Sequence, residues 1–190
     1  MKHSKALAAW LVISMIMFES YAYARDFQFN TSMRFRRALA ITNPINIDFG
    51  AIEYTAGASG SITLAASNDN ITCSNTTDYQ CPATGTRGSF QMRGSNNNTV
   101  DISCDASGTL SNGTDTLTYD NVRAEIDGTE ALCLGIGNSA IAYTFTNGSF
   151  NNVVSAGMTI QVGAGGVLSG GTYNTSNSGG DPISFRVVYQ

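Results

Sequence analysis

The sequence predicts an all-β chain folded as a single antiparallel β-sandwich. Three observations carry this reading: apolar residues recur with a period of two, helical spacing is missing, and Gly/Asn/Ser/Asp clusters punctuate the alternating runs at short intervals. The 190 residues suit one domain, long enough to close one hydrophobic core. A hydrophobic content of 42% argues against general disorder, even with charged residues at only 13%.

In chain order, the alternating runs are Ile45-Asn-Ile47-Asp-Phe49, Ile62-Thr-Leu64, Phe90-Gln-Met92 and Val100-Asp-Ile102-Ser-Cys104. Val122-Arg-Ala124-Glu-Ile126, Ile141-Ala-Tyr143-Thr-Phe145, Met158-Thr-Ile160-Gln-Val162 and Ile183-Ser-Phe185-Arg-Val187-Val-Tyr189 follow. Gly94-Ser-Asn-Asn-Asn98, Ser111-Asn-Gly113 and Ser176-Asn-Ser-Gly-Gly180 supply turn chemistry between them. About eight such strands, each with one face buried and one wet, describe a sandwich.

The first 24 residues read as an export signal. Lys2, His3 and Lys5 precede an apolar run over 6–18, and Ala22-Tyr23-Ala24 is a small-x-small cleavage site. The run is too short to span a bilayer, which takes roughly 20 residues. The expected location is the periplasm, then the cell surface or the medium, with no transmembrane segment in the mature chain. Cleavage after Ala24 removes the one His, the one Trp and both Lys. Eight Arg against thirteen Asp+Glu then leave a formal charge of −5. A chain without His or Lys has no Ser-His-Asp or Cys-His catalysis and no Lys nucleophile. Its acidity also argues against a nucleic-acid partner. Glu53, Glu125 and Glu130 are scattered rather than paired as glycoside hydrolysis requires. No enzyme activity and no cofactor are expected.

Cys73, Cys81, Cys104 and Cys133 form an even set in an exported chain, which reads as two disulfides. Four cysteines allow three pairings. Cys73–Cys81 with Cys104–Cys133 is favoured, because the first pair brackets a short polar loop that suits a hairpin staple. The spacing lacks a CxxC metal signature. Asp69, Asp78, Asp115 and Asp120 show no calcium-loop spacing and read as solvated charges. Seven Asn-x-Ser/Thr sequons, Asn75-Thr-Thr and Asn147-Gly-Ser among them, are what chance supplies in an Asn/Ser/Thr-rich chain.

The segment after the cleavage site is the most informative. Phe27, Phe29, Thr31, Met33 and Phe35 share one face of an extended strand, and the phase runs on through Leu39 and Ile41 to Phe49. Half of the mature Arg (Arg25, Arg34, Arg36, Arg37) sit here. The segment is either the first strand of its own sandwich or an extension, residues 25–40, that adds to another subunit's sheet. The sandwich itself is expected over 41–190. Burying Phe27, Phe29, Met33 and Phe35 would contribute on the order of 6–12 kcal/mol as an upper bound, and the Arg side chains would steer the strand toward acidic surfaces. At the other end, an apolar strand stops one residue from the terminus, leaving an edge to be paired or covered.

Several short motifs are similar to those of an exported bacterial β-domain family: Ile47-Asp-Phe49-Gly50-Ala51-Ile52, Gly57-x-x-Gly60-x-Ile62-Thr-Leu64, Gly170-Gly-Thr-Tyr173 and Phe185-x-Val187-x-Tyr189. That family resembles archaic chaperone–usher pilin subunits and spore-coat-protein-U-like domains, and the likeness covers 41–190. It implies an immunoglobulin-like sandwich, complete or one strand short, with an extended N-terminal arm. It also implies a fimbria-like structural subunit assembled by donor-strand exchange, a form of β-augmentation. The partners implied are other copies or related pilin-like subunits, a periplasmic chaperone and an outer-membrane usher. The donor strand would be Phe27 through Phe35, and Tyr189, beside Phe185 and Val187, would face the chaperone. Pilins usually carry one disulfide; this chain offers two. A self-contained sandwich binding a glycan or small ligand through loop tyrosines (Tyr54, Tyr79, Tyr119, Tyr143, Tyr173) is the alternative.

Overall fold

The computed structural model describes residues 37–147, 151–163 and 168–190. The signal segment and the alternating arm, with Phe27, Phe29, Thr31, Met33 and Phe35, lie outside the described residues. Thirteen strands are described: β1 (Ala40–Ile45), β2 (Glu53–Tyr54), β3 (Gly60–Leu64), β4 (Ile71–Cys73), β5 (Tyr79–Gln80), β6 (Gly88–Arg93) and β7 (Thr99–Cys104). Then come β8 (Gly108–Ser111), β9 (Thr116–Ile126), β10 (Thr129–Leu132), β11 (Ile141–Thr144), β12 (Asn152–Val162) and β13 (Phe185–Tyr189). Every pairing is antiparallel. The all-β sandwich expected from the alternation is the architecture formed.

One face is an eight-stranded sheet organised on two eleven-residue strands, β9 and β12. β12 pairs with β6 along its first half (Asn152 opposite Met92) and with β3 along its second half (Val162 opposite Gly60). Its other side carries β9, whose far side in turn takes β10 and β8 end to end. β1 and β4 extend the sheet beyond β6 and β3. The partner switch along β12 falls at Gly157, where a Cβ would sit far inside contact distance of the Leu64 carbonyl. The opposite layer is the three-stranded sheet β11-β7-β13, and β2 and β5 form a separate pair.

The period-two face of each strand fills the space between the layers. Leu64, Met92, Val100, Ile102, Tyr119, Val122, Ile126, Phe145 and Val154 are fully buried in one cluster. Phe90 of β6 meets Phe185 of β13 edge to face, with ring centroids 5.4 Å apart, directly bridging the two layers. The disulfide Cys104–Cys133 bridges them covalently, from β7 to the segment after β10. Asp127-Gly128 closes the β9–β10 hairpin in two residues, both at positive φ, as a type I′ turn demands.

Three expectations change. The run Ile45-Asn-Ile47-Asp-Phe49 is not one strand: β1 occupies residues 40–45, and its register breaks between Thr42 and Ile45, where Asn43 takes positive φ before Pro44. Ile41 and Ile45 are therefore largely exposed, while Phe49 is buried after a single Asp48–Thr86 bridge. Ala40, read as the last residue of the extension, begins β1. Cys73–Cys81 forms as favoured, but it does not staple a hairpin, since β4 pairs with β3 and β5 with β2. It closes a loop ordered by Asn75, whose side-chain oxygen accepts from the Thr77 and Asp78 amides.

Candidate functional site

β13 lies at the edge of the three-stranded sheet, with β7 on one side and, among the described residues, no strand on the other. The ladder phase follows from its ends. Asp105 N–H donates to the Ser184 carbonyl and Gln190 N–H to the Thr99 carbonyl, both at 3.1 Å. The even residues of β13 therefore bond to β7, and the backbone groups of Phe185 and Val187 point away from it. The side chains of these odd residues face inward: Val187 is buried, and Phe185 and Tyr189 are half-buried against Phe90 and Phe145. A strand laid on this edge in the antiparallel sense with its apolar face inward would use the same residues for ladder and core.

Four edge strands of the larger sheet carry features that discourage pairing, and β11, the other edge of the small sheet, is four residues long. β1 has the Asn43 irregularity and Pro44. β4 is three residues long. β8 is covered by the Ser111–Asn174 bridge and by the Asp181 amide bonding to the Thr109 carbonyl. Exposed β10 carries Glu130, ion-paired to Arg123 at 3.2 Å. β13 pairs with β7 through five consecutive positions in unbroken register and contains no proline.

At the C-terminal end of β13, three residues distant in sequence are tied together. The Tyr189 hydroxyl accepts from the Ser95 amide at 2.8 Å and donates to the Arg37 carbonyl at 2.9 Å. The Arg37 amide donates back to Ser95 Oγ. Gly94 makes room for this knot, because a Cβ there would overlap the Phe145 ring. Of the residues singled out in the sequence, Phe185, Val187 and Tyr189 thus share one strand edge. Tyr189 spends its hydroxyl within the domain, on the residue where the N-terminal segment enters. The tie of Ser95 and Arg37 to Tyr189 has no signature in the sequence, since one polar loop residue and one backbone carbonyl carry no pattern; the nearest signal is Gly94 before an Asn/Ser run.

The hydroxyls of the loop tyrosines are all hydrogen-bonded within the domain. Tyr119 and Tyr79 are buried, and the Tyr119 hydroxyl donates to the Asp181 carbonyl at 2.9 Å. Burial pushes the Tyr119 phenol up to about 12, with Asp105 and Asp181 adding to the effect. Tyr143 is raised to about 12 by burial and by Asp127, with its hydroxyl 3.1 Å from Asp127 Oδ2 and 2.8 Å from Asn152 Oδ1. Tyr54 and Tyr173 are half-buried and direct their hydroxyls at the carbonyls of Leu168 and Ser169. The acidic loop residues have local tasks: Ser169 hydrogen bonds hold the Asp115 carboxyl below its ordinary range, and Gln161 bonds both oxygens of Asp120. Among the described residues no cluster of three or more His, Cys, Asp or Glu forms a metal site, and no helix is long and apolar enough to cross a membrane. A shallow depression of about 190 Å³ on the outer face of the small sheet is lined by Asp101, Ser103, Gly137, Ser139, Arg186 and Val188. Asp101 there already accepts from Ser139 and Gln190.

Neither a curated protein nor a solved structure matches the chain. A family profile does, over residues 39–177, which is most of the sandwich from β1 through β12. The chain belongs to the family described as Domain of unknown function (DUF4402).

Proposed function

We propose that the protein is a non-enzymatic structural subunit of a bacterial surface polymer, exported to the periplasm and assembled by strand donation from the N-terminal arm of one copy to β13 of the next. The observation that carries this reading is the outward-facing ladder of Phe185 and Val187 on a strand whose inner face is apolar and aromatic. Three features of the arm complement it. Its apolar residues alternate over 27–35, long enough to cover a five-residue strand. Its charge is basic, with four Arg and one Asp over 25–37, against twelve Asp+Glu and four Arg from residue 38 onward. Its exit lies at the end of that strand, through Arg37. Main-chain hydrogen bonds would give such an assembly its affinity, and the alternate side chains its register.

A periplasmic chaperone that covers β13 until assembly, and an usher that exchanges it for an arm, are the partners this chemistry calls for. The test is expression of residues 25–190 in an oxidising compartment, with and without residues 25–36. Ladders that resist SDS in the first case and vanish in the second are expected. Phe29→Arg should likewise abolish them, because it puts a charge on the face to be buried. A compact monomer indifferent to both changes sinks the reading.

A further inference from the structure

The loop that leads into β13 is fastened to the β8–β9 ladder by one residue, Asp181. Its amide donates to the Thr109 carbonyl at 2.9 Å, its Oδ2 accepts from Thr109 Oγ1 at 2.8 Å, and its carbonyl accepts from the buried Tyr119 hydroxyl at 2.9 Å. Gly108 stands opposite Tyr119 and lets the phenol through, since a Cβ there would overlap it. On the far side of Pro182, the Ser184 amide donates to Asp105 Oδ2 at 2.8 Å, and the Ser184 carbonyl accepts from the Asp105 amide. The Asp181–Pro182 bond is thus clamped on both flanks, while both of its residues stay exposed to water.

Asp181-Pro182 is the one Asp-Pro pair in the sequence. An aspartyl carboxyl is a nucleophile carried on the same residue as the carbonyl it would attack, so no encounter has to be arranged. Proline nitrogen, in a tertiary amide, leaves more readily than an ordinary peptide nitrogen. The Tyr119 hydroxyl sits on the oxygen where negative charge would develop, the place of an oxyanion donor. Burial, with Asp105 and Asp181 adding to it, pushes this phenol up to about 12, so it keeps its hydrogen through the acid and neutral range. Thr109 Oγ1 also lies 2.7 Å from the Gly179 carbonyl. Its single hydrogen must serve both oxygens while the Asp181 carboxyl is ionised; with the acid form, each contact has a hydrogen of its own.

We propose that Asp181–Pro182 is a self-cleavage site, with Asp181 as nucleophile, Tyr119 as oxyanion donor and Thr109 as the residue that orients the carboxyl. A carboxyl oxygen of Asp181 bonds to the carbon of its own main-chain carbonyl, and the bond from that carbon to the Pro182 nitrogen breaks. The carboxyl proton passes to the nitrogen, which leaves as a secondary amine. The cyclic anhydride left on Asp181 is opened by one water to two carboxyl groups, and nothing is oxidised or reduced. β13 would then belong to the domain through its ladder to β7 and its core contacts alone. Cleavage does not rest on the strand-donor reading, and it is scored without reference to polymers.

The test uses the full chain, exported into an oxidising compartment, purified and incubated at about pH 4, near the ordinary aspartic value, and at about pH 7. Among the described residues, the ionisable groups that face the bond are Asp105 and Tyr119. Mass spectrometry after denaturation reads the cut directly, because both disulfides lie before residue 181 and leave the fragments free to separate. Two fragments divided between Asp181 and Pro182, together one water heavier than the parent, are expected, and they should form faster at the lower pH. The folded chain should cleave roughly tenfold or more faster than the same chain held in guanidinium at the same pH. Equal or slower cleavage when folded overturns the proposal, since it leaves only the ordinary lability of the dipeptide. Asp181→Asn and Pro182→Ala should each stop the cut. Tyr119→Phe and Thr109→Val, checked for folding by circular dichroism, should each slow it about tenfold or more. Thr109→Val lies on an edge strand and keeps the test available if the core variant does not fold. Cleavage at the parental rate in the folded variants overturns the assigned roles.

Discussion

The Tyr189 hydroxyl donates a 2.9 Å hydrogen bond to the Arg37 carbonyl, joining residues 152 apart in the chain. The first described residue of the domain is thereby fastened to its last strand, with the Ser95 amide as the third party at 2.8 Å. The Tyr189 ring meanwhile packs near Phe145 at 6.5 Å between centroids.

Tyr189→Phe keeps the ring and removes the hydroxyl. Two hydrogen bonds disappear, and the Ser95 amide loses its acceptor in a half-buried site. The expected loss is about 1–2 kcal/mol. Denaturant melts of the monomer measure it; a change within a few tenths of a kcal/mol would show that water replaces the hydroxyl without penalty.

The two disulfides should differ in weight. Cys73–Cys81 closes a separation of 8 residues and Cys104–Cys133 one of 29. In the chain-entropy account these contribute about 2.5 and about 3.5 kcal/mol. Cys104 and Cys133 are also buried between the layers, so replacing both with Ser puts hydroxyls into the core. Cys104→Ser/Cys133→Ser should therefore lower the melting temperature more than Cys73→Ser/Cys81→Ser, as calorimetry would record.

Gly94→Ala should cost about 1–3 kcal/mol, the range for overpacking a filled core. The added methyl meets the Phe145 ring, which is fully buried and in edge contact with Tyr143 and Tyr189. Gly113→Ala, at positive φ but with nothing near its Cβ position, is the comparison. There the cost is backbone strain alone. The same melts compare the two.

Stability should fall as pH rises from about 10 through about 12. Tyr119 and Tyr143 have folded-state phenol pKa values raised to about 12 from the ordinary 10.0. Their favourable contribution is complete below the unfolded value and is lost as pH climbs through the folded one. Phenolate absorbance followed alongside β-sheet circular dichroism should show ionisation of these two coinciding with unfolding. Tyr143→Phe should make the alkaline transition shallower.

The strands that the sequence made legible are those with one face against the core: β3, β6, β7, β11, the second halves of β9 and β12, and β13 all carry the alternation at their observed positions. β2, β4 and β5 were not legible, because two or three residues are too few for a period to register, and β8 and β10 carry no alternation, with Leu110 alone in one and Ala131 and Leu132 adjacent in the other. The first half of β12, residues 152–157, was missed for a different reason. Asn152, Ser155 and Gly157 interrupt its apolar residues, yet the strand is buried nearly throughout, held between β6 and β9. The break in β1 was signalled by Asn43-Pro44, but the long phase from Phe27 to Phe49 hid it. Phe185, Val187 and Tyr189 could be picked out by alternation; that Tyr189 grips Arg37 could not, since contacts with a main-chain oxygen leave no mark on residue choice.

The dependence of the larger layer on β12 also sets a timetable. A polypeptide delivered N-terminus first, from a ribosome or through a translocation pore, presents β1, β3, β6 and β9 with none of them yet joined to a common neighbour. Only when residues 152–162 emerge can β6 and β3 be stitched to β9. Until then the paired groups β1–β6, β3–β4 and β8–β9–β10 can form but share no sheet, so the larger layer closes only with the last forty residues.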